Sequence, residues 1–373
     1  MDRESAARNP AMDVIRCFAL FTIAANHFYN HSGYLTYPME GMVMYAMTIF
    51  HQVFLVTIPL FLMLSGYLLK NKKPVRSYYT KLGKTICIYV LASLCCMAYE
   101  IISARLQGRP STSVLFQLVS IFSYTTAPYG WYINMYISLF MIIPFLNVLY
   151  NNLESQRSKQ YLILSMLFLS SFPNVLNIFR FNDLQWWIQP SSIGTYHPLI
   201  PDWWYDSYPI TYYFIGAYLQ EYPLKLKPRQ SILLLAGCIL AFGTFQFYRS
   251  YPGAYVTGVW QDWGSLFLAI QSVLYFNLLA GLDYSRFSPK LCRLLAAVSN
   301  LSLGAYLVSS IFDDLFYGIL RQAVEDIPSR FPWYFVIVPV ILLCSVALSA
   351  VIEEIWRLLS KLFDRIVRSR VPS

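Results

Sequence analysis

The chain has 373 residues, of which 57% are hydrophobic and only 13% charged, and its formal net charge is +9. Soluble domains carry about 25% charged residues, so this composition excludes an ordinary soluble protein and indicates a chain embedded in lipid. The seven cysteines form no CxxC pair and lie mostly in apolar runs, which argues against a disulfide framework and against a zinc site.

Ten stretches are predicted to form membrane-spanning helices, since a span needs about 20 mostly apolar residues. They are residues 11–30, 43–69, 82–104, 131–150, 160–179, 207–221, 231–248, 263–282, 298–319 and 333–358. The stretch 113–127 is shorter and rich in Ser and Thr, and is predicted to re-enter the membrane or to lie at its interface. The expected fold is an all-α polytopic membrane helix bundle that forms one domain over residues 1–373.

Most of the 28 Lys and Arg residues fall in loops on one side of this ten-helix topology, if both termini are cytoplasmic. The outer segments then keep only Arg105, Arg109, Arg180, Arg249, Arg321 and Arg330. The positive-inside rule predicts this asymmetry, and an eleventh span at 113–127 would destroy it. The basic excess is therefore a signal of topology, and nucleic-acid binding is not expected.

The first predicted helix carries two ionisable residues inside its apolar run, Arg16 and His27. They are eleven residues apart, close to three helical turns, so they share one face while lying about 16 Å apart along the axis. An ionisable residue inside the membrane is a functional-site hypothesis by default. The alternatives are an Arg16 that reaches the inner interface beside Asp13, and a His27 that is a neutral core residue.

The predicted outer segment between the fifth and sixth helices is rich in aromatic and acidic residues. Its tryptophans are Trp186, Trp187, Trp203 and Trp204. One interpretation is an aromatic belt at the membrane interface. The other is a platform for a sugar, because aromatic faces stack on pyranose rings while carboxylates accept hydrogen bonds from hydroxyls. The sequence leaves both interpretations open.

Several motifs resemble those of the acyltransferase-3 family of integral membrane acyltransferases. The first helix, MDVIRCFALFTIAANHF, has that family's Arg, ten residues, then His, and the Ser-Gly-Tyr-Leu element at 65–68 is similar to the end of its second helix. Lys81 and Lys84 resemble its basic pair at the entry of the third helix, and Trp131 begins a similar Trp-Tyr helix. Ser309 stands where His is common, which leaves a role for a second histidine in question.

The resemblance implies acyl transfer, commonly of acetyl, from cytoplasmic acyl-CoA to a hydroxyl of a glycan or other envelope molecule, in a bacterial plasma membrane. Acyl transfer to a hydroxyl needs a base near neutral pH, a role that suits His27. Arg16, Lys81 and Lys84 are expected to bind the phosphates of CoA at the cytoplasmic mouth, and Tyr67 is expected to contribute to the same site. The alternative for both lysines is topological charge without a ligand.

The acceptor is expected near the outer end of the first helix. Glu100 is predicted to orient His27 or to bind the acceptor, the alternative being an interface ion pair with Arg105. The substrate-binding residues are predicted to be Asn26, Asn30, Trp131, Trp186 and Trp187. Acetyl-CoA is expected as co-substrate without a metal, and a glycan or lipid-linked sugar as acceptor. The alternative function is a glycan exporter without acyl transfer, in which polar intramembrane residues line a path.

Overall fold

A computed structural model describes residues 8–178, 184–188 and 198–370, and the side chains of Trp187 and of residues 363–370 lie outside this description. Across these ranges the regular structure is helical and contains no strand, which confirms the all-α prediction. The described α-helices are α1 (Pro10–His31), α2 (Gly41–Gln52), α3 (Thr57–Leu69), α4 (Arg76–Tyr79), α5 (Leu82–Leu106), α6 (Val114–Ser120), α7 (Trp131–Asn151), α8 (Gln156–Ser170), α9 (Pro173–Leu176), α10 (Leu184–Ile188), α11 (Tyr208–Glu221), α12 (Pro228–Ser250), α13 (Leu266–Gly281), α14 (Pro289–Ala323) and α15 (Tyr334–Arg370).

Eight of the ten predicted spans are confirmed as helical segments that are long and apolar enough to cross a membrane. Within the described ranges these are Pro10–His31, Gly41–Leu69, Arg76–Leu106, Trp131–Asn151, Pro228–Ser250, Val259–Gly281, Pro289–Ala323 and Pro328–Leu362. The protein is therefore a multi-pass membrane protein.

The two remaining predicted spans, 160–179 and 207–221, contain the shorter helices α8 and α11. With 15 and 14 residues, they are about 22 and 21 Å long, less than the roughly 30 Å hydrocarbon core. Prolines explain both lengths. Pro173 interrupts the first stretch and starts α9, and Pro223 follows directly after the end of α11, where helical backbone is disfavoured.

By its internal contacts the chain divides into two compact units, each discontinuous in sequence. The first unit comprises Met1–Asn71, Leu146–Ser299 and Val324–Phe331, and the second comprises Lys72–Phe145, Asn300–Ala323 and Pro332–Ser373.

In the first unit, α3 and α11 approach backbone to backbone through two glycines. A Cβ atom added at Gly66 would lie 1.9 Å from the carbonyl oxygen of Tyr213, and one added at Gly216 would lie 2.0 Å from that of Met63. The neighbouring Ser65 hydroxyl donates to the carbonyl of Phe61 in its own helix, at 3.0 Å. The Ser-Gly pair therefore serves close helix packing.

Polar contacts join α3, α8 and α11 at one end, and α8 and α11 also at the other end. At one end, Glu221 accepts from Lys70 and from Lys159, each at 2.6 Å. At the other end, the hydroxyls of Ser170 and Thr211 are 2.8 Å apart. The C-terminal ends of α3 and α11 and the N-terminal end of α8 therefore meet at Glu221. Helices α3 and α11 run parallel, and α8 is antiparallel to both. The C-terminal end of α8 and the N-terminal end of α11 thus lie opposite Lys70.

Glu221→Gln is expected to lower the free energy of unfolding by roughly 1–3 kcal/mol, because it leaves two mostly buried lysines without their counter-charge. Thermal unfolding of the purified protein in detergent measures the change. Glu154→Gln is the matched control, since Glu154 is exposed beside the start of α8, and it should leave the midpoint unchanged. Equal midpoints for both variants would contradict the prediction.

In the second unit, α6 has only seven residues, about 10 Å of helix, so the stretch 113–127 does not cross the membrane as a helix. Its apolar side chains Leu115, Phe116 and Phe122 are largely exposed, as expected for a segment that faces lipid at the interface. The Tyr89 hydroxyl on α5 donates to the carbonyl of Ile121 at 2.6 Å and fixes the end of this segment.

Candidate active site

Arg16 lies in the first turns of α1, which begin with strong local signals. The Asn9 side chain accepts from the N–H of Ala11 at 3.0 Å, and Pro10 is the first helical residue, both typical of a helix N-terminus. The guanidinium of half-buried Arg16 donates to the hydroxyl of Ser299 on α14 at 3.1 Å, and this bond orients it.

Asp13, suggested as a neighbour of Arg16, interacts with Arg16 electrostatically and also binds a residue that precedes the helix. Two nitrogens of Arg8 bind the two carboxylate oxygens of Asp13, each at 2.6 Å. A two-pronged pair of this kind is the strongest arrangement for Arg and a carboxylate. It forms because the four residues between Arg8 and Asp13 let the chain before α1 fold back on the first turn.

His27 is 6% exposed, in the last two turns of α1. Its ring lies 6.0 Å from that of His31 and nearly perpendicular to it, so these two histidines share a face. Just beyond the helix, Arg330 donates to the carbonyls of Ser32, at 2.5 Å, and of Val324, at 2.7 Å. A cation at the C-terminal carbonyls favours the helix dipole and fixes this end of α1.

Asn26, predicted to bind substrate, has a protein partner in the structure. Its Oδ1 accepts from Nε2 of His51 at 2.7 Å, and the ring of His51 stacks on Tyr29. Tyr34 and Tyr255 complete the surroundings of His51, and burial raises the pKa of both their hydroxyls above the ordinary value, so both remain protonated. This buried group was not predicted.

Tyr67, predicted to contribute to the donor site, lines a cavity of about 250 Å³ in the first unit. The cavity lies where α3, α11 and α13 end and α12 begins, and Asn277 and Ser231 are among its polar lining residues. The ring of Tyr67 packs 5.6 Å from that of Phe276. Tyr67 is three residues before Lys70, so the cavity lies at the basic end of α3.

Two donor-site candidates, Lys81 and Lys84, belong to the second unit. Both are exposed, and Lys84 binds Glu353 of α15 at 2.5 Å. The Lys84 charge is therefore partly compensated, whereas Lys81, at the N-cap of α5, presents its ammonium group to solvent.

Glu100 and Trp131 also belong to the second unit. Glu100 lies in the last two turns of α5, half-exposed, with its carboxylate 3.9 Å from Arg109. The ion-pair partner is thus Arg109 and not Arg105, because the chain reverses at Gly108, whose φ is +64°. Trp131 is half-buried at the start of α7, with its ring perpendicular to that of Tyr132.

The aromatic residues proposed as a sugar platform differ sharply in exposure. Trp186 is 1% exposed, because the guanidinium of Arg249 covers its ring at 4.4 Å. Trp186 therefore offers no open face in the structure, and a stacking surface needs one. Trp203 is 92% exposed and offers one, as does Trp204. Asn30 is exposed as well, and the side chain of Trp187 lies outside the described residues.

A pair of tryptophan substitutions tests this contrast. Trp186→Ala is expected to lower the free energy of unfolding by about 3–5 kcal/mol, the usual result of removing a buried aromatic ring. Trp203→Ala should leave it within about 0.5 kcal/mol, as at most exposed positions. Denaturant unfolding followed by tryptophan fluorescence compares the two variants. A stability loss on Trp203→Ala, or none on Trp186→Ala, would refute this assignment.

Comparison with known proteins bears on what α1 does. The model of one family, described as an acyltransferase domain, matches residues 9–350. The match covers most of the chain, from the cap of α1 into α15, and includes Arg16 and His27. The chain belongs to the acyltransferase-3 family. No curated protein and no solved structure matches it significantly.

As a member of the acyltransferase-3 family, the protein is a membrane acyltransferase. Among its described residues, no group of three or more His, Cys, Asp or Glu side chains could hold a metal ion. All seven cysteines are free, as predicted. Ser309, at the position where the family often has His, donates to the carbonyl of Tyr306 one turn earlier, at 2.9 Å, and so is a helix-bound hydroxyl.

Two buried polar residues of this acyltransferase were missed in the sequence. His51 lies inside the predicted span 43–69, and Asp313 lies inside the predicted span 298–319. Asp313 accepts from the hydroxyl of Tyr129 at 2.7 Å. The rule that selects Arg16 and His27, an ionisable residue within a span, applies equally to both and would have found them.

Proposed function

We propose that this acyltransferase is an O-acetyltransferase of the bacterial plasma membrane. It moves an acetyl group from cytoplasmic acetyl-CoA to a hydroxyl of a cell-surface polysaccharide or lipid-linked sugar. The observation that supports this most is α1 itself. Arg16 and His27 lie on one face of α1, about 16 Å apart along its axis, so one helix carries a cation toward the donor side and a base toward the acceptor side.

His27 acts as the general base in this proposal. Its imidazole removes the proton from the acceptor hydroxyl as the hydroxyl oxygen attacks the thioester carbonyl of the donor. The tetrahedral intermediate collapses, the carbon–sulfur bond breaks, and His27 returns the proton to the departing thiolate. Atoms and charge balance: acetyl-CoA and an alcohol give an ester and free CoA. Imidazole can both accept and return a proton, which suits both transfers.

Each unit offers its own cations for the phosphates of the donor. In the first unit Arg16, held by Ser299, contributes a planar guanidinium that matches phosphate oxygens. In the second unit Lys81 and Lys84 are separate candidates that contribute point charges. The cavity beside Tyr67 supplies room and polar groups at the basic end of α3. These residues fit an anionic donor that approaches from the cytoplasm.

On the acceptor side, Asn30 and the open ring faces of Trp203 and Trp204 suit a sugar. Stacking against the apolar face of a pyranose and hydrogen bonding to its hydroxyls use these residue types. Glu100 is a further candidate for hydroxyl binding, with the Arg109 ion pair as its competitor. Trp131 remains a candidate from the second unit.

Proteoliposomes with acetyl-CoA labelled in the acetyl group test the proposal. Label is expected to pass to an ester of a supplied polysaccharide or lipid-linked sugar, with release of one CoA for each ester, and none in protein-free vesicles. Mass spectrometry of the glycan identifies the group and the acylated sugar. Movement of unmodified glycan across the membrane without CoA release would instead indicate an exporter and overturn the proposal.

A further inference from the structure

A second histidine of the first unit contacts α1 on both sides of His27. His51, in the last turn of α2 and 3% exposed, donates from Nε2 to Oδ1 of Asn26 at 2.7 Å. Its ring stacks on that of Tyr29, with centroids 4.2 Å apart and 23° between the planes. Asn26 directly precedes His27 and Tyr29 follows it by two residues, so the His51 side chain contacts α1 at positions on both sides of His27.

The two residues that contact His51 lie on a different face of α1 from His27. Asn26 and Tyr29 are three residues apart and share a face, whereas His27 is turned by about 100° from Asn26. The His27 ring lies instead beside that of His31, four residues on. One face of α1 is therefore held by His51, and another face presents His27.

His51 is itself fixed in one orientation. The ring of Tyr34 lies 5.6 Å away and nearly perpendicular, and the Tyr255 hydroxyl is 3.4 Å from Nδ1 while it donates to Gln261. These described neighbours are aromatic or uncharged, so burial favours a neutral imidazole. A neutral ring that donates from Nε2 to the Asn26 oxygen cannot rotate without losing both the hydrogen bond and the stacking.

We infer that His51 is a positioning residue for His27. Through Asn26 and Tyr29 it sets the rotation and depth of the last two turns of α1, and thereby the direction in which the His27 imidazole meets the acceptor hydroxyl. The inference rests on the proposed function, in which His27 is the base. A base must come within about 2.6–3.2 Å of the proton it removes, and a misplacement of about 1 Å can lower the rate about 10²-fold.

Two substitutions and their combination test this. His51→Phe keeps the stacking and removes the donor, and Asn26→Leu removes the acceptor. Each is expected to lower kcat about 10- to 100-fold, with KM for acetyl-CoA unchanged, and the double variant should be no worse than either single, because both remove one interaction. Met47→Leu, a volume-conserving change in the core of α2, should retain wild-type kcat.

The rescue variant His51→Gln keeps an N–H donor and should recover part of the lost kcat. If His51→Phe fails to accumulate in the membrane, Asn26→Leu and His51→Gln carry the test. The inference would be overturned if the losses in the double variant were additive, or if the single variants kept the wild-type kcat. A rise in KM for the acceptor on Asn26→Leu would also overturn it, because Asn26 would then bind substrate directly.

His27→Ala, measured in parallel, separates the two proposals. An inactive His27→Ala protein beside a fully active His51→Phe protein overturns the positioning role alone. A fully active His27→Ala protein overturns the base assignment. Reaction of His27 with diethyl pyrocarbonate, followed by mass spectrometry of the α1 peptide, reports the environment of the His27 ring without any turnover. The rate of this modification should change by several-fold in His51→Phe but not in Met47→Leu.

Discussion

His27→Ala is expected to lower kcat for acetyl transfer by about 10²–10⁴-fold, the usual contribution of a general base, while the protein still inserts and accumulates. The replaced ring is buried beside His31, and alanine keeps α1 helical because it has the highest helix propensity. The remaining donor and acceptor contacts should leave KM for acetyl-CoA close to wild type. Single-turnover transfer from labelled acetyl-CoA measures the loss.

His31→Ala is the matched control, because His31 lies one turn further along the same face. It should retain most of the activity, and the purified variants should unfold at similar temperatures. Should His31→Ala be inactive and His27→Ala active, the base would be His31. Normal transfer by both variants would exclude both histidines of α1 as the base.

Gly66→Val and Gly216→Val are each expected to prevent folded protein from accumulating. An added Cβ meets a backbone oxygen at 1.9 Å in the first case and at 2.0 Å in the second, so no side-chain rotation relieves the clash and α3 and α11 must separate. Overpacking of a core usually costs about 1–3 kcal/mol, and here an entire helix interface is lost in addition. Membrane fractionation with size-exclusion chromatography in detergent reports the folded fraction.

Gly237→Ala supplies the control, since a Cβ at this position in α12 meets nothing within 4 Å. It should be neutral or stabilising, by up to about 1 kcal/mol, because alanine is the better helix former. Folded Gly66→Val protein with a normal melting temperature would show that α3 and α11 tolerate separation, contrary to the contact described above.

The sequence predicts much of the fold because span formation depends mainly on length and apolarity, which composition alone reveals. Eight spans follow from it. The segment 160–179 is misjudged in length, because its helix ends before Pro173 for a reason that hydropathy does not show. The bounds of 207–221 agree with α11, but a helix of 14 residues is shorter than a span requires. Hydropathy also cannot show that Lys70, one of the many basic residues in the predicted cytoplasmic loops, is a buried partner of Glu221.

The candidate site is predicted less completely, because spacing along one helix defines a face but not what packs against it. The shared face of Arg16 and His27 follows from their separation of eleven residues. The partners of Asp13, Asn26 and Trp186 cannot be predicted from such spacing, since each comes from another part of the chain or from outside the helix concerned. Burial of Trp186 under Arg249 is a tertiary event that an aromatic-rich sequence cannot distinguish from an open platform.

The ion pair between Lys70 and Glu221 has a consequence for biogenesis. The two residues are separated by 151 positions, so the end of α3 reaches the membrane long before its counter-charge has been synthesised. Until α11 emerges from the ribosome, Lys70 must be accommodated by water or lipid phosphates at the membrane surface. Assembly of the first unit is therefore ordered in time, and a nascent chain that stalls before residue 221 holds a helix end whose charge has no partner from α11.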